Sequence, residues 1–243
     1  MDNILLLKEK SAFKNKDFDE SGNVRASALL RHFEQIATDH AEMMGIGHDD
    51  LIKENRIWVL SKFRFRMHGR IRAGELYDIA TYPSTGRGAA YPRGYYICDE
   101  DENLIVSAMS QWCVVDFETR KLVRSALEFS GEYIDIPAFE EKIEKIKYKE
   151  PQSAGVHIVT EEDLDINCHV NNCRYADMTS DVLGRNDYQS FTINFLRETV
   201  IGDRIDLLTE RAEDGGDIVV GMLEDESVVF QAKVTYLWSD QRL

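Results

Sequence analysis

The 243-residue chain has little cysteine and little proline, four of each. No apolar run approaches the roughly 20 residues that span a bilayer, so no stable membrane insertion is expected. Cys98, Cys113, Cys168 and Cys173 form no CxxC pair, and Cys98 and Cys113 lie in apolar, strand-like runs. That spacing argues against a disulfide framework or a zinc site, and no metal or organic cofactor is expected. Reduced thiols in the cytoplasm are the simplest reading. The opening MDNILLLKEK lacks a basic leader and a small-residue cleavage site, so no signal peptide is expected. Positive charge is also scarce: 29 Lys+Arg against 44 Asp+Glu leave a net charge of -15. Such a balance argues against nucleic acid or an anionic membrane as partner.

Hydrophobic residues make up 43% of the chain, enough for a real core. The few basic residues are unevenly spread. Arg64, Arg66, Arg70, Arg72, Arg87 and Arg93 fall in one stretch otherwise poor in acids. Two readings stay open, a solvated strand face and a dock for an acidic partner.

The sequence repeats itself. FDESGNV (Phe18 to Val24) aligns with LDINCHV (Leu164 to Val170), pairing Asp19 with Asp165, Ser21 with Asn167 and Asn23 with His169. Each copy runs into a helical pattern. Leu29, Phe33, Ile36, His40 and Met44 make one stripe and Gly45 its stop; Tyr175, Met178 and Val182 make the other, with Gly184 as stop. Runs rich in β-branched and aromatic residues come after each helix, at Ile57–Met67, Leu76–Tyr82, Gly94–Cys98 and Leu104–Val115, then at Ser190–Arg197, Asp203–Thr209, Asp217–Leu223 and Ser227–Trp238. The turns between them are short, which implies antiparallel neighbours. The expected class is α+β, two units that each wrap a long helix in an antiparallel sheet. Residues 1–130 form the first unit, 131–152 a charged connector, and 153–243 the second.

The segment DINCHVNN (Asp165 to Asn172) is the candidate site. In an extended approach Asp165, Asn167 and His169 would point to one side. The helix start behind them offers N–H groups to a developing oxyanion. A carboxylate there could activate water or attack directly. The plain alternative is a helix cap. The first copy carries Ser21 and Asn23 where the second has Asn167 and His169, which points to one active and one degenerate copy. Alternation in FTINFLRET puts Thr192, Asn194 and Glu198 on a polar strand face, and aligning Gly74 with Gly202 sets Arg70 opposite Glu198.

DINCHVNNCRY resembles the DxNxHVNNxxY signature of acyl-acyl-carrier-protein thioesterases of the plant and bacterial fatty-acid type. Trp58-Val59-Leu60 and Arg197-Glu198-Thr199 match further motifs of that family, and the likeness runs nearly the whole chain. The resemblance implies a tandem double hotdog fold. It implies hydrolysis of a fatty acyl chain from acyl carrier protein, with Asp165, Asn167, His169 and Glu198 as the catalytic set. It places the acyl chain mainly in the first unit, near Trp58, and gives Asn171 and Asn172 to substrate. An acidic carrier would give Arg64, Arg66, Arg70 and Arg72 a docking role. Many plant members have cysteine after the glutamate, with a nucleophilic role assigned to it. Thr199 stands there in this chain, which removes that mechanism, and Cys168 is read as a bystander. A hotdog acyl-coenzyme A thioesterase and a non-catalytic acyl-binding protein are the rival readings; the assembly is a monomer or a homodimer.

Overall fold

The computed structural model describes residues 5–84, 88–124, 127, 143, 145–165 and 167–237. Arg87 and most of the connector expected over 131–152 lie outside the described residues. The first half runs β1 (Leu7–Ala12), α1 (Ala26–Met43), α2 (His48–Ile52), β2 (Arg56–Met67), β3 (Leu76–Pro83), β4 (Ala90–Cys98) and β5 (Leu104–Asp116). The second runs β6 (Gln152–Ile158), α3 (Asn172–Leu183), β7 (Tyr188–Phe195), β8 (Arg204–Arg211), β9 (Asp217–Met222) and β10 (Val228–Tyr236). Two compact units result, one of Met1–Asn15 with Arg31–Ile143, the other of Lys16–Leu30 with Glu144–Leu243.

The sheet of the first unit has the order β1-β3-β4-β5-β2, antiparallel throughout. The second has the order β6-β8-β9-β10-β7, again antiparallel. Replacing each strand by its counterpart turns one order into the other. The repeat seen in sequence is therefore a repeat of topology.

Burial tracks the two stripes. Leu29, Phe33, Ile36 and His40 of α1 are buried. The ring of Phe33 lies 5.9 Å from Phe63 of β2 and 4.9 Å from Tyr95 of β4. In the second unit Tyr175 of α3 lies 6.1 Å from Phe195 and 5.2 Å from Phe230. Each such aromatic pair adds about 0.5–1.5 kcal/mol beyond simple area burial. Gly45 and Gly184 end α1 and α3 in the left-handed region, φ 70° and 66°, where a side chain would be strained.

Four expectations change. Strands β1 and β6 and the short helix α2 precede or interrupt the runs read from sequence. The second helix, expected from about Val170, starts only at Asn172, because Asn171 caps it as α3 and accepts the Cys173 N–H. Strand β7 stops at Phe195, two residues before the Arg197 expected from alternation. Arg93 is no surface residue. It shares the inner face of β4 with Tyr91, Tyr95 and Ile97, and its guanidinium lies 2.9 Å from His40 Nδ1 and 3.2 Å from Thr81 Oγ1.

A buried carboxylate anchors the approach to α3. Asp163 accepts hydrogen bonds from the Thr160 N–H (2.8 Å), His157 Nε2 (2.9 Å) and Arg174 Nε (2.8 Å). Burial pushes its carboxyl up, but those donors outweigh burial and hold it at about 2, below the ordinary 3.8. A depressed carboxylate stabilises the fold above its unfolded value, and that stability disappears as pH falls toward the folded value. The unfolding free energy of the wild type, measured by urea titration, should therefore drop between about pH 4 and pH 2, by about 2 kcal/mol from this group. The Asp163→Asn variant should start lower and lose less over that window. An unchanged acid limb in the variant would contradict this assignment.

Candidate active site

Leu164 and Val170 pair as an isolated β-bridge, so Asp165, Asn167, Cys168 and His169 belong to a tight turn and not to the extended approach expected. The Asp165 N–H donates to the His169 carbonyl at 2.8 Å, and the Cys168 N–H donates to the Asp165 carbonyl at 3.1 Å. Cys168, at φ 60°, closes the turn. The carboxylate organises the loop from inside: Asp165 Oδ1 accepts the N–H groups of Asn167 (2.8 Å) and His169 (3.3 Å), while Asn167 Nδ2 lies 3.5 Å from Oδ2.

The first copy builds the same loop. Phe18 and Val24 make the bridge, the Asp19 N–H donates to the Asn23 carbonyl at 2.9 Å, and Asp19 Oδ1 accepts from the Ser21 (3.0 Å) and Asn23 (2.8 Å) N–H groups. A third instance joins β4 to β5, where Asp99 Oδ1 accepts from the Asp101 (3.0 Å) and Asn103 (2.8 Å) N–H groups. An aspartate in this setting is first of all a loop fastener.

What separates the loops is the side chain four residues on. Asn23 Nδ2 donates to Asp19 Oδ2 at 3.3 Å, and Asn103 Nδ2 donates to Asp99 Oδ2 at 3.0 Å. His169 occupies that place in the second copy, and its Nε2 lies 3.7 Å from Glu198 Oε2. The side chains of His169 and Glu198 are 31% and 42% exposed, so water reaches both.

Glu198 owes its direction to a break in β-pairing. The N–H groups of Leu196 and Arg197 both donate to the Val229 carbonyl, at 2.8 and 3.1 Å. Two residues thus oppose one, which bends the strand and re-aims the side chains beyond the bend. Glu198 lies beyond the end of β7, and Asn194 is buried, so the polar face that alternation assigned to Thr192, Asn194 and Glu198 does not form. The first copy has the same break, with His68 and Gly69 donating to the Ile105 carbonyl at 2.9 and 3.2 Å. The Val170 N–H then donates to the Thr199 carbonyl at 2.9 Å, tying the glutamate segment to the histidine loop.

The other expected residues stand apart from this pair. Asn171 Oδ1 is occupied as the cap of α3, and its N–H donates to the Asp163 carbonyl. With the Val170, Cys173 and Arg174 N–H groups also donating to protein acceptors, the start of α3 offers less to an oxyanion than the sequence suggested. Asn172 is the first helical residue. Trp58, half-buried, donates from Nε1 to the Ile46 carbonyl and stacks edge-on against Tyr91 at 5.2 Å. Arg64 and Arg66 sit on the outward side of β2, between the buried Phe63, Phe65 and Met67. Arg70 is exposed, and Arg72 pairs with Glu75 at 3.4 Å. Sequence reasoning missed that the repeat reaches back to Asp17 and Asp163, both buried, whose carbonyls accept the Arg25 and Asn171 N–H groups at 2.8 Å each. The signal was present in KDFD and EDLD.

Because Asp19 and Asp165 do the same work, Asp19→Ala and Asp165→Ala should each cost about 1–2 kcal/mol of stability. Asp165→Asn keeps an acceptor and should cost less. Chemical denaturation checks both; an Asp165→Ala protein as stable as the wild type would contradict the fastening role.

Residues 6–133 match the family model described as the acyl-ACP thioesterase N-terminal domain, and residues 145–238 match the C-terminal domain. The fold is that of a solved acyl-ACP thioesterase from Bacteroides thetaiotaomicron, with a TM-score of 0.85 at 24% identity over 94% of this chain and 96% of that one. It is also that of the 12:0-ACP thioesterase from Umbellularia californica, with a TM-score of 0.78 at 16% identity over 95% of this chain and 96% of that one. Among curated relatives, the chloroplastic palmitoyl-acyl carrier protein thioesterase of Cuphea hookeriana is 22% identical over 257 residues, 90% of this chain and 62% of the relative. The chain therefore spans less than two thirds of that relative's length.

Proposed function

The chain belongs to the acyl-ACP thioesterase family, and on that premise we propose that it hydrolyses the thioester of a fatty acyl chain borne on acyl carrier protein. The products are the free acid and the carrier thiol. One observation carries the assignment of chemistry to the second copy: His169 approaches Glu198 where the first copy has an asparagine tied to its own loop.

In this reading Glu198 is the general base and His169 positions it and the attacking water. Water oxygen bonds to the thioester carbon as Glu198 takes its proton. The tetrahedral oxyanion meets the Asn167 side-chain amide, which stands exposed at the loop tip. The carbon–sulfur bond then breaks and the proton passes to the leaving thiolate. In this reading Asp165 holds the loop, its Oδ1 engaged by two backbone N–H groups.

Each unit is a hotdog in this proposal. Residues 1–130 bind the acyl chain, with Trp58 and its strand neighbours lining it. Residues 153–243 carry out hydrolysis, and 131–152 connect the two. The carrier is acidic and this chain carries a net charge of -15, so docking needs a local excess of positive charge. Arg64, Arg66, Arg70 and Arg72 supply it in this reading; Arg72 also pairs with Glu75 at 3.4 Å.

The test is an assay of thiol release from acyl-carrier-protein thioesters of graded chain length, with the matching coenzyme A thioesters alongside. Wild type should turn over the carrier-bound series faster. Glu198→Gln should lower kcat by about a hundredfold or more. Acyl binding without thiol release, or no loss in Glu198→Gln, would overturn the proposal. A separate charge reversal, Arg70→Glu, should raise KM for carrier-bound substrate by about tenfold and leave short acyl-pantetheine thioesters unaffected. Equal loss on both would remove the docking role.

A further inference from the structure

The residue after Glu198 is buried and polar where its counterpart is buried and apolar. Thr199 is 0% exposed, and its Oγ1 lies 2.8 Å from the hydroxyl of Tyr175, itself 3% exposed. Counting from the shared loop and from the paired glycines Gly74 and Gly202, the first copy has Leu29 in place of Tyr175 and Ile71 in place of Thr199. Both of these are buried as well. Apolar residues therefore fill this position in the copy that lacks the histidine and glutamate. The copy that has them keeps a hydroxyl pair in the core, where removing two hydroxyls together could be nearly neutral for stability.

Thr199 is gripped on two sides. Its carbonyl accepts the N–H of Val170, the residue after His169. Its hydroxyl meets Tyr175, one turn into α3 from the cap Asn171. The turn beyond is fastened too: Asp203 Oδ2 accepts the Val200 N–H at 2.9 Å, and the Gly202 N–H donates to the Val159 carbonyl at 2.9 Å. Glu198 is thus an exposed side chain on a backbone fixed at the next residue. Burial pushes the Tyr175 hydroxyl up to about 12, with Glu198 and Asp203 adding to the rise and Thr199 opposing it, so Tyr175 stays neutral at working pH.

We propose that Tyr175 and Thr199 are positioning residues, a hydroxyl clamp whose task is to hold Glu198 in register with His169. The clamp deepens the hydrolase reading given above and rests on it for its consequence in turnover. A glutamate loosened by an ångström loses much of its value as a base, whereas substrate binding is untouched. The clamp should therefore act on kcat and not on KM.

Three variants test it: Thr199→Val, Thr199→Ser and Tyr175→Phe. Thr199→Val and Tyr175→Phe should each lower kcat on acyl-carrier-protein thioesters by about tenfold with KM within about twofold. Thr199→Ser, which keeps the hydroxyl, should restore most of the rate. Tyr175→Phe keeps the ring among Phe195 and Phe230, so it serves if Thr199→Val does not fold. The crystal structure of Tyr175→Phe gives a readout independent of turnover: the separation of His169 Nε2 and Glu198 Oε2, 3.7 Å in the wild type, should lengthen when the clamp is lost. Wild-type kcat and an unmoved His169–Glu198 separation in folded Tyr175→Phe would overturn the clamp, as would failure of Thr199→Ser to recover. If wild type releases no thiol from any thioester, the hydrolase reading fails, and that separation alone decides the clamp.

Discussion

Asp165 accepts the N–H groups of Asn167 and His169, and the placement of the other groups at the site depends on the loop so made. Chain reversal in five residues needs a left-handed residue and an acceptor for inward-pointing N–H groups. Cys168 supplies the first and the Asp165 carboxylate the second. With the loop closed, Leu164 and Val170 pair, the chain enters α3 through Asn171, and the His169 ring faces Glu198. An acceptor of this kind is worth more than its hydrogen bonds alone, because without it the N–H groups would be left unsatisfied.

The same loop at Asp19 and the near-identical one at Asp99 bear on chemistry as well as on fold. A carboxylate that does this work where no catalysis is proposed needs no catalytic role to explain its presence. That is why the proposal gives acid–base chemistry to Glu198, which follows the double donation of Leu196 and Arg197 to one carbonyl.

Much of this was legible in the sequence, for reasons that can be named. The repeat was visible because polar residues at fixed spacing before a helix are hard to place by chance. The helices were visible because Leu29, Phe33 and Ile36 keep helical spacing and end at a glycine. A strand ahead of each helix was expected but could not be placed, because β1 and β6 lie at sheet edges, are largely exposed, and show no clean alternation. Arg93 was misplaced by counting arginines; the period of two in Tyr91, Arg93, Tyr95 and Ile97 already put it inside. Glu198 was assigned to a strand face for the opposite reason. The alternation in FTINFLRET continues past the point where the pairing breaks, and a bulge leaves no mark in composition.

Comparing the copies divides the site into scaffold and chemistry. The loop aspartates Asp19 and Asp165, the buried Asp17 and Asp163, and the double-donor break before Arg70 and Glu198 occur in both copies. His169, Glu198 and the Tyr175–Thr199 hydroxyl pair occur in one; the other has Asn23, Arg70, Leu29 and Ile71. Scaffold features persist because each satisfies backbone groups, and losing one would destabilise its unit whatever the unit does. His169, Glu198, Tyr175 and Thr199 have no such repeat in the first copy. Their concentration in one copy is difficult to attribute to folding, since the other copy forms the same sheet and the same loop without them. That asymmetry between the two copies is the physical ground for the proposal that hydrolysis belongs to the second.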